Sequence, residues 1–204
     1  MMKTLDYFQL IFFTGVLIAC SLPLGLYIKK VFSKEGTLFD FILKPVEKFI
    51  YKLMGIDAEA EMRWTQYAFA LLSFNVAGGI LLYIILRIQY LLPLNPRHFS
   101  GMAPDLAFNT AISFMTNTNW QVYAGESALG YSAQMAGLTV QNFLSAATGI
   151  ATAMALMRSF SVKEKASIGN FWFDVTRSIL WILLPLLLVF SVFLIWQGVP
   201  QNFL

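Results

Sequence analysis

Eight residues from Asn109 to Gln121 are Asn, Thr, Ser or Gln, and nothing between them carries a charge. Amide and hydroxyl oxygens without a carboxylate suit one task in particular: replacing the water around a cation that must later leave. Thr116, Asn117, Thr118 and Asn119 would offer side-chain oxygens together with successive backbone carbonyls. Trp120 and Gln121 would hold the outer half of such a loop, and Asn109, Thr110 and Ser113 would brace it from behind. The rival reading is a polar loop that caps a helix bundle and binds nothing. A membrane enzyme would need grouped acids, bases or metal ligands at membrane depth. Asp105, Glu126 and Asp174 are instead scattered, and His98 sits beside Pro96 and Arg97 in a loop. Asp105 reads as a helix-start acid, Glu126 as a mouth residue that draws cations, and Asp174 as a partner for Arg177 or Arg158. No catalytic residue and no resident cofactor is assigned.

The elements that would position this loop follow from where charge is missing. Of the 204 residues 58% are hydrophobic and 12% charged, with a mean hydropathy of +0.66; soluble domains carry about 25% charged residues. No charged residue falls in 7–28, 64–86, 106–125, 127–157 or 178–204. Since roughly 20 apolar residues cross a bilayer, four of these gaps each hold a span, while 106–125 is too polar to face lipid. The expected fold is an all-α integral membrane domain, 1–204. Its spans are 7–28, 65–92, 131–157 and 176–197, with a short pore helix and filter loop at 104–121 that re-enters the membrane. Pro104 and Asp105 start that helix, proline in the first turn and an acid near the positive end. Irregular polar backbone at membrane depth survives only inside protein or beside water.

Other features refine this layout. Residues 29–63 hold an amphipathic helix, with Lys44, Lys48 and Lys52 on one face and Ile42, Val46, Phe49, Ile50 and Leu53 on the other. Such a helix lies in the membrane surface or packs beneath the bundle. Gly78 and Gly79 permit close helix contact, and the Gly, Ala, Ser and Thr content of 131–157 marks a span buried among others. Gln134, Gln141 and Asn142 lie inside it, and Pro185 would kink the last span. The single cysteine, Cys20, excludes an internal disulfide. Leu17-Ile18-Ala19-Cys20 resembles a lipoprotein cleavage box, but the apolar run continues to Ile28, which favours an uncleaved helix. Loops 29–63 and 158–177 hold eleven of the 14 lysines and arginines, against Lys3, Arg87 and Arg97 opposite. By the positive-inside rule the N-terminus and the 93–130 loop face outward.

The run Asp105-Leu106-Ala107-Phe108-Asn109-Thr110-Ala111-Ile112-Ser113-Phe114-Met115-Thr116-Asn117-Thr118-Asn119-Trp120-Gln121 resembles the first filter region of the potassium-binding A subunit of Kdp-type potassium-transporting ATPases. Residues 134–149, from Gln134 to Gly149, are similar to the helix that follows that filter. Leu92-Pro93-Leu94-Asn95-Pro96, Gln197-Gly198 and Gln201-Asn202-Phe203-Leu204 match as well, so the resemblance covers essentially the whole chain. It implies a channel-like subunit with four helix–pore loop–helix repeats and an extra leading helix. Potassium would be the transported ion, bound at Asn117, Thr118 and Asn119 in one quarter of a selectivity filter.

The resemblance also implies partners: a P-type ATPase subunit, small accessory subunits and membrane lipid, in a bacterial plasma membrane. No nucleic acid is called for. With no phosphate-binding loop or phosphorylation motif in this sequence, ATP hydrolysis would belong to another chain. Three filter loops of the family pattern are missing, so the expected alternative is a truncated, non-transporting fragment that assembles with or regulates the complex. Assembly of four copies is a further option that no residue supports positively.

Overall fold

The computed structural model describes residues 4–37, 39–161 and 167–199. Lys3, Lys163 and Lys165 of the basic count, and Gln201, Asn202, Phe203 and Leu204 of the matching tail, lie outside these residues. Among the described residues the chain is helical, without strands apart from an isolated bridge between Arg63 and Ser167. The helices are α1 (Thr4–Phe32), α2 (Asp40–Met54), α3 (Trp64–Arg87), α4 (Pro104–Met115) and the single turn α5 (Gly125–Ala128). Two long helices follow, α6 (Ala133–Ser161) and α7 (Phe171–Trp196). Four helices, α1, α3, α6 and α7, are long and apolar enough to cross a membrane.

Residues 1–48 and 49–204 form two compact units, with the boundary inside α2. In the first, α1 exposes Phe8, Ile11, Phe12, Ile18 and Leu22, a surface that water would penalise and lipid solvates. The start of α2 is held by Asp40, which accepts the Thr37 hydroxyl at 2.6 Å and pairs with Lys44 at 2.7 Å. Along α2, Ile42, Val46, Phe49 and Leu53 are exposed while Leu43 and Glu47 are buried.

The second unit is built on two apolar clusters. One joins α3, α4 and α6 through Leu82, Leu86, Ala107, Ala111, Phe114 and Ala133. The other joins α3, α6 and α7 through Tyr67, Ala147, Ala151, Ala155, Phe171 and Val175. Alanine at every fourth position of α6 gives its neighbours a flat face to lie against. The aromatic rings of Tyr67, Phe74 and Trp172 meet Phe171 edge-on at 5.2–5.6 Å.

Asn170 determines where α7 begins. Its side-chain oxygen accepts the amides of Trp172 and Phe173 at 3.0 and 3.3 Å, capping two donors that the helix itself leaves open. Its amide nitrogen donates to the carbonyls of Asp57 and Ala60, tying the 55–62 loop to the same point. This cap starts the helix at Phe171, five residues ahead of the expected 176. Both long helices contain a wide π-helical stretch, Ala133–Thr139 in α6 and Ser178–Leu183 in α7. The second lies just before Pro185, which has no amide to donate to the preceding turn.

Candidate cation site

Helix α4 is short because its sequence supplies a start, one buried stripe and a stop. Pro104 occupies the first turn with Asp105 beside it. Ala107, Thr110, Ala111 and Phe114, spaced as one helical face, are buried, and Ala107, Ala111 and Phe114 cluster with Leu82 and Leu86 of α3. Gly79 lies against Met115 of α4 and Gly78 against Gln141 of α6: a Cβ would stand 2.9 Å from Met115 Sδ and 2.7 Å from Gln141 Oε1, so either side chain would have to shift.

The helix stops in a Schellman arrangement. Asn117 takes the left-handed conformation with φ 59°. Its amide donates to the Phe114 carbonyl at 3.3 Å, and the Thr118 amide donates to the Ser113 carbonyl at 2.9 Å. Asparagine is among the few residues that enter this region readily, and Asn119 does so again at φ 55°. Ser113 then holds two further amides: its carbonyl accepts from Asn119 at 3.2 Å and its hydroxyl from Trp120 at 2.7 Å. Every amide from Thr116 to Trp120 is thereby turned back toward the end of α4. Among the described residues, no carbonyl of 116–121 accepts a hydrogen bond.

The side chains do not share this division, since Asn117 Oδ1 is an occupied acceptor. Thr116 Oγ1 donates to the Ile112 carbonyl at 2.9 Å and lies 3.0 Å from Thr118 Oγ1. Asn117 Oδ1 accepts from Asn119 Nδ2 at 3.3 Å and from Ser145 Oγ of α6 at 3.2 Å. Thr116, Asn117, Thr118, Asn119 and Trp120 are exposed, while Gln121 is half-buried. Among the described residues, three side-chain oxygens are sealed from solvent without a hydrogen-bond partner: Gln121 Oε1, Tyr123 Oη and, on α6, Asn142 Oδ1. Of the residues expected to brace the loop, Ser113 and Thr110 are buried, the latter with its hydroxyl 4.0 Å from Met102 Sδ, whereas Asn109 is exposed. Burial raises the Tyr123 phenol above its ordinary pKa.

Sequence reasoning missed the scaffold ahead of α4. Gln89, 2% exposed, donates to the carbonyls of Ser100 and Ala128 at 2.7 and 3.0 Å and accepts from the Gly130 amide at 3.2 Å. Asn95 pairs with both backbone groups of Phe99, at 2.9 and 3.0 Å. Arg97 donates to the Glu126 carbonyl at 2.9 Å, and Gln134 to that of Leu129 at 3.1 Å. Gln89 ends an apolar run, where a lone amide is the one available signal of a backbone partner. Ser145 was missed because a serine in a small-residue span reads as packing.

A second polar cluster lies where α6 ends and α7 begins. Asp174, with no exposed side-chain surface, receives Arg158 through two hydrogen bonds of 2.6 and 2.8 Å. It also accepts the Tyr67 hydroxyl at 3.0 Å. Of the two partners expected for Asp174 the structure selects Arg158. Arg177 instead lies over the rings of Phe173 and Trp181, at 4.7 and 5.0 Å. No group of three or more His, Cys, Asp and Glu able to hold a metal occurs among the described residues.

Four helices long and apolar enough to span a bilayer, together with a short helix that has an uncharged, oxygen-rich end, define an all-helical membrane protein with four candidate spans. The family model described as the potassium-transporting ATPase A subunit matches residues 11–204, and the chain belongs to that family. It is 53% identical over 195 residues to a potassium-transporting ATPase potassium-binding subunit of Rhodospirillum centenum, covering 96% of this chain and 34% of that protein. It is 50% identical over 202 residues to the protein so described in Solidesulfovibrio magneticus, covering 99% and 35%. With that of Pseudomonas syringae pv. tomato it shares 51% over 202 residues, covering 99% and 36%. The chain thus spans about a third of the length of these relatives.

Proposed function

We propose that this chain binds potassium as part of the potassium-binding subunit of an ATP-driven uptake complex, with residues 116–121 forming one quarter of its selectivity filter. Helix α4 and this loop re-enter the membrane from outside, between α3 and α6. The observation that carries the reading is the segregation of donors from acceptors: the amides of 116–120 are tied back to α4 while the carbonyls stay open. A loop with its backbone amides used and its backbone carbonyls free presents oxygens that suit a cation. The C-terminal end of α4 adds the negative end of its helix dipole at the same place. Having no carboxylate, the site holds the ion weakly enough to release it. Gln121 Oε1 and Asn142 Oδ1, buried and without a donor, are further oxygens available to an ion path.

The names of the relatives point to potassium as the cation and to an ATPase as the assembly. The reading therefore includes partners: a P-type ATPase subunit that hydrolyses ATP, and small accessory subunits. It also includes a bacterial plasma membrane with the N-terminus outside. One loop offers too few oxygens to dehydrate potassium selectively, so the other filter loops come from polypeptide beyond these residues. Because the chain spans about a third of its relatives, the second reading is a piece that assembles with the complex and transports nothing itself.

Capture of the native complex through this chain separates the two readings. An ATPase subunit together with the remaining filter loops supports the working pump, while a lone 23.0 kDa species supports the non-transporting piece. In the complete complex, Gln121→Arg places a fixed positive charge at the mouth and should weaken the apparent affinity for potassium by about tenfold or more. Unchanged uptake affinity would refute the filter assignment.

A further inference from the structure

The loop at residues 116–121 is fastened in two ways. Ser113 holds it from its own helix, through the amides of Thr118, Asn119 and Trp120. Among the described residues a single hydrogen bond fastens it to another helix, from Ser145 Oγ of α6 to Asn117 Oδ1 at 3.2 Å. Ser145 is almost fully buried, 3% exposed. The receiving atom is well placed to matter. Asn117 Oδ1 also accepts from Asn119 Nδ2 at 3.3 Å, so this one oxygen links both left-handed residues of the loop to α6. Asparagine tolerates left-handed backbone, and these contacts select that conformation at both positions.

The hydroxyl of Ser145 has a second acceptor, the Asn142 carbonyl at 3.3 Å. A serine hydroxyl carries one proton, so the loop and its own helix share or compete for the same donor.

We infer that Ser145 is a specificity-determining positioning residue, which fixes the spacing of the oxygens at 116–119 and thereby favours potassium over a smaller cation. This rests on the filter reading above. A smaller ion such as sodium is well coordinated only if the oxygens close in around it. A loop tethered to α4 on one side and α6 on the other resists that closure, whereas a loop tethered to α4 alone yields. Loss of the tether should thus erode discrimination more than turnover.

The test is potassium-dependent ATP hydrolysis by the complete complex, with sodium as competitor, for Ser145→Ala, Asn117→Ala and the double variant. Ser145→Ala should lower the ratio of potassium to sodium apparent affinities by about tenfold, with maximal rate within about twofold. Because Ser145 acts through Asn117, the double variant should be no worse than the more impaired single variant. A Ser145→Ala complex with unchanged discrimination overturns the inference, as does a double variant whose losses are additive. If Asn117→Ala is impaired and Ser145→Ala is not, the filter reading stands and this inference falls. If Asn117→Ala leaves affinity and discrimination intact, the filter reading itself fails.

Discussion

The loop at 116–121 and the cluster around Asp174 are both polar regions of an apolar helical unit, and they are built on opposite terms. Arg158 lies about 20 Å along α6 from Ser145 by helical rise. At Asp174 a full charge is buried and accounted for, with Arg158 donating twice and Tyr67 once. In the loop there is no charge, the backbone amides of 116–120 are used, and among the described residues the carbonyls stay open. A polar group whose partners all lie within the chain serves the fold. One whose acceptors are left open while its donors are secured is arranged for something from outside.

The comparison breaks most readily at Asp174. Asp174→Ala leaves Arg158 without its carboxylate in a partly buried position, which should cost about 3–5 kcal/mol. Replacing both partners by apolar residues, Arg158→Met with Asp174→Leu, should recover much of that loss. In the loop, Thr118→Ala should change stability by no more than about 0.5 kcal/mol, as at other exposed sites. Thermal unfolding of the purified chain in detergent measures all three. Equal destabilisation by Asp174→Ala and Thr118→Ala would erase the distinction between a structural and an open polar region.

A smaller effect is expected at Gly101, which joins the Gln89 scaffold to α4. A Cβ there would lie 2.2 Å from the Arg87 carbonyl oxygen, and because that obstacle is backbone it cannot swing aside. Gly101→Ala should therefore cost about 1–3 kcal/mol, measured by the same unfolding experiment. It should also weaken potassium affinity in the complete complex, since the displaced backbone leads directly into Pro104 and α4. Loss of stability with unchanged affinity would show that the loop takes its position from α6 and not from this scaffold.

The four apolar helices were legible because charge is excluded from long stretches, a signal carried by composition alone. The start of α4 was legible in Pro104 and Asp105, whose chemistry is local. The left-handed turns were half legible: asparagine at 117 and 119 permits that conformation, but nothing local demands it without Ser113 behind. Contacts between distant residues were not legible. Gln89 reaches Ala128 and Gly130, and Ser145 reaches Asn117, across separations that no periodicity encodes. For Asp174 the sequence offered two arginines. The choice of Arg158 came from the Asn170 cap, which begins α7 early enough to bring Asp174 toward the end of α6. The π-helical stretches had no signal, because a widened turn uses the same apolar residues as a regular one.

The smallest expected effect sharpens the comparison by its size. Lys48 belongs to the basic run with Lys44 and Lys52, which under the proposed topology is expected on the side of the membrane away from the loop. Exposed charges more than about 8 Å apart are largely screened at physiological ionic strength. Lys48→Gln should then leave the apparent potassium affinity of the complete complex within about twofold of the parent, whereas Gln121→Arg changes it strongly. The reasoning depends on sidedness, so the pair of variants tests topology as well as chemistry. If Lys48→Gln shifted affinity as far as Gln121→Arg, the basic loop and the oxygen-rich loop would have to share one face of the membrane. The inward-facing assignment of 29–63 would then be wrong, although the cation chemistry of 116–121 would remain.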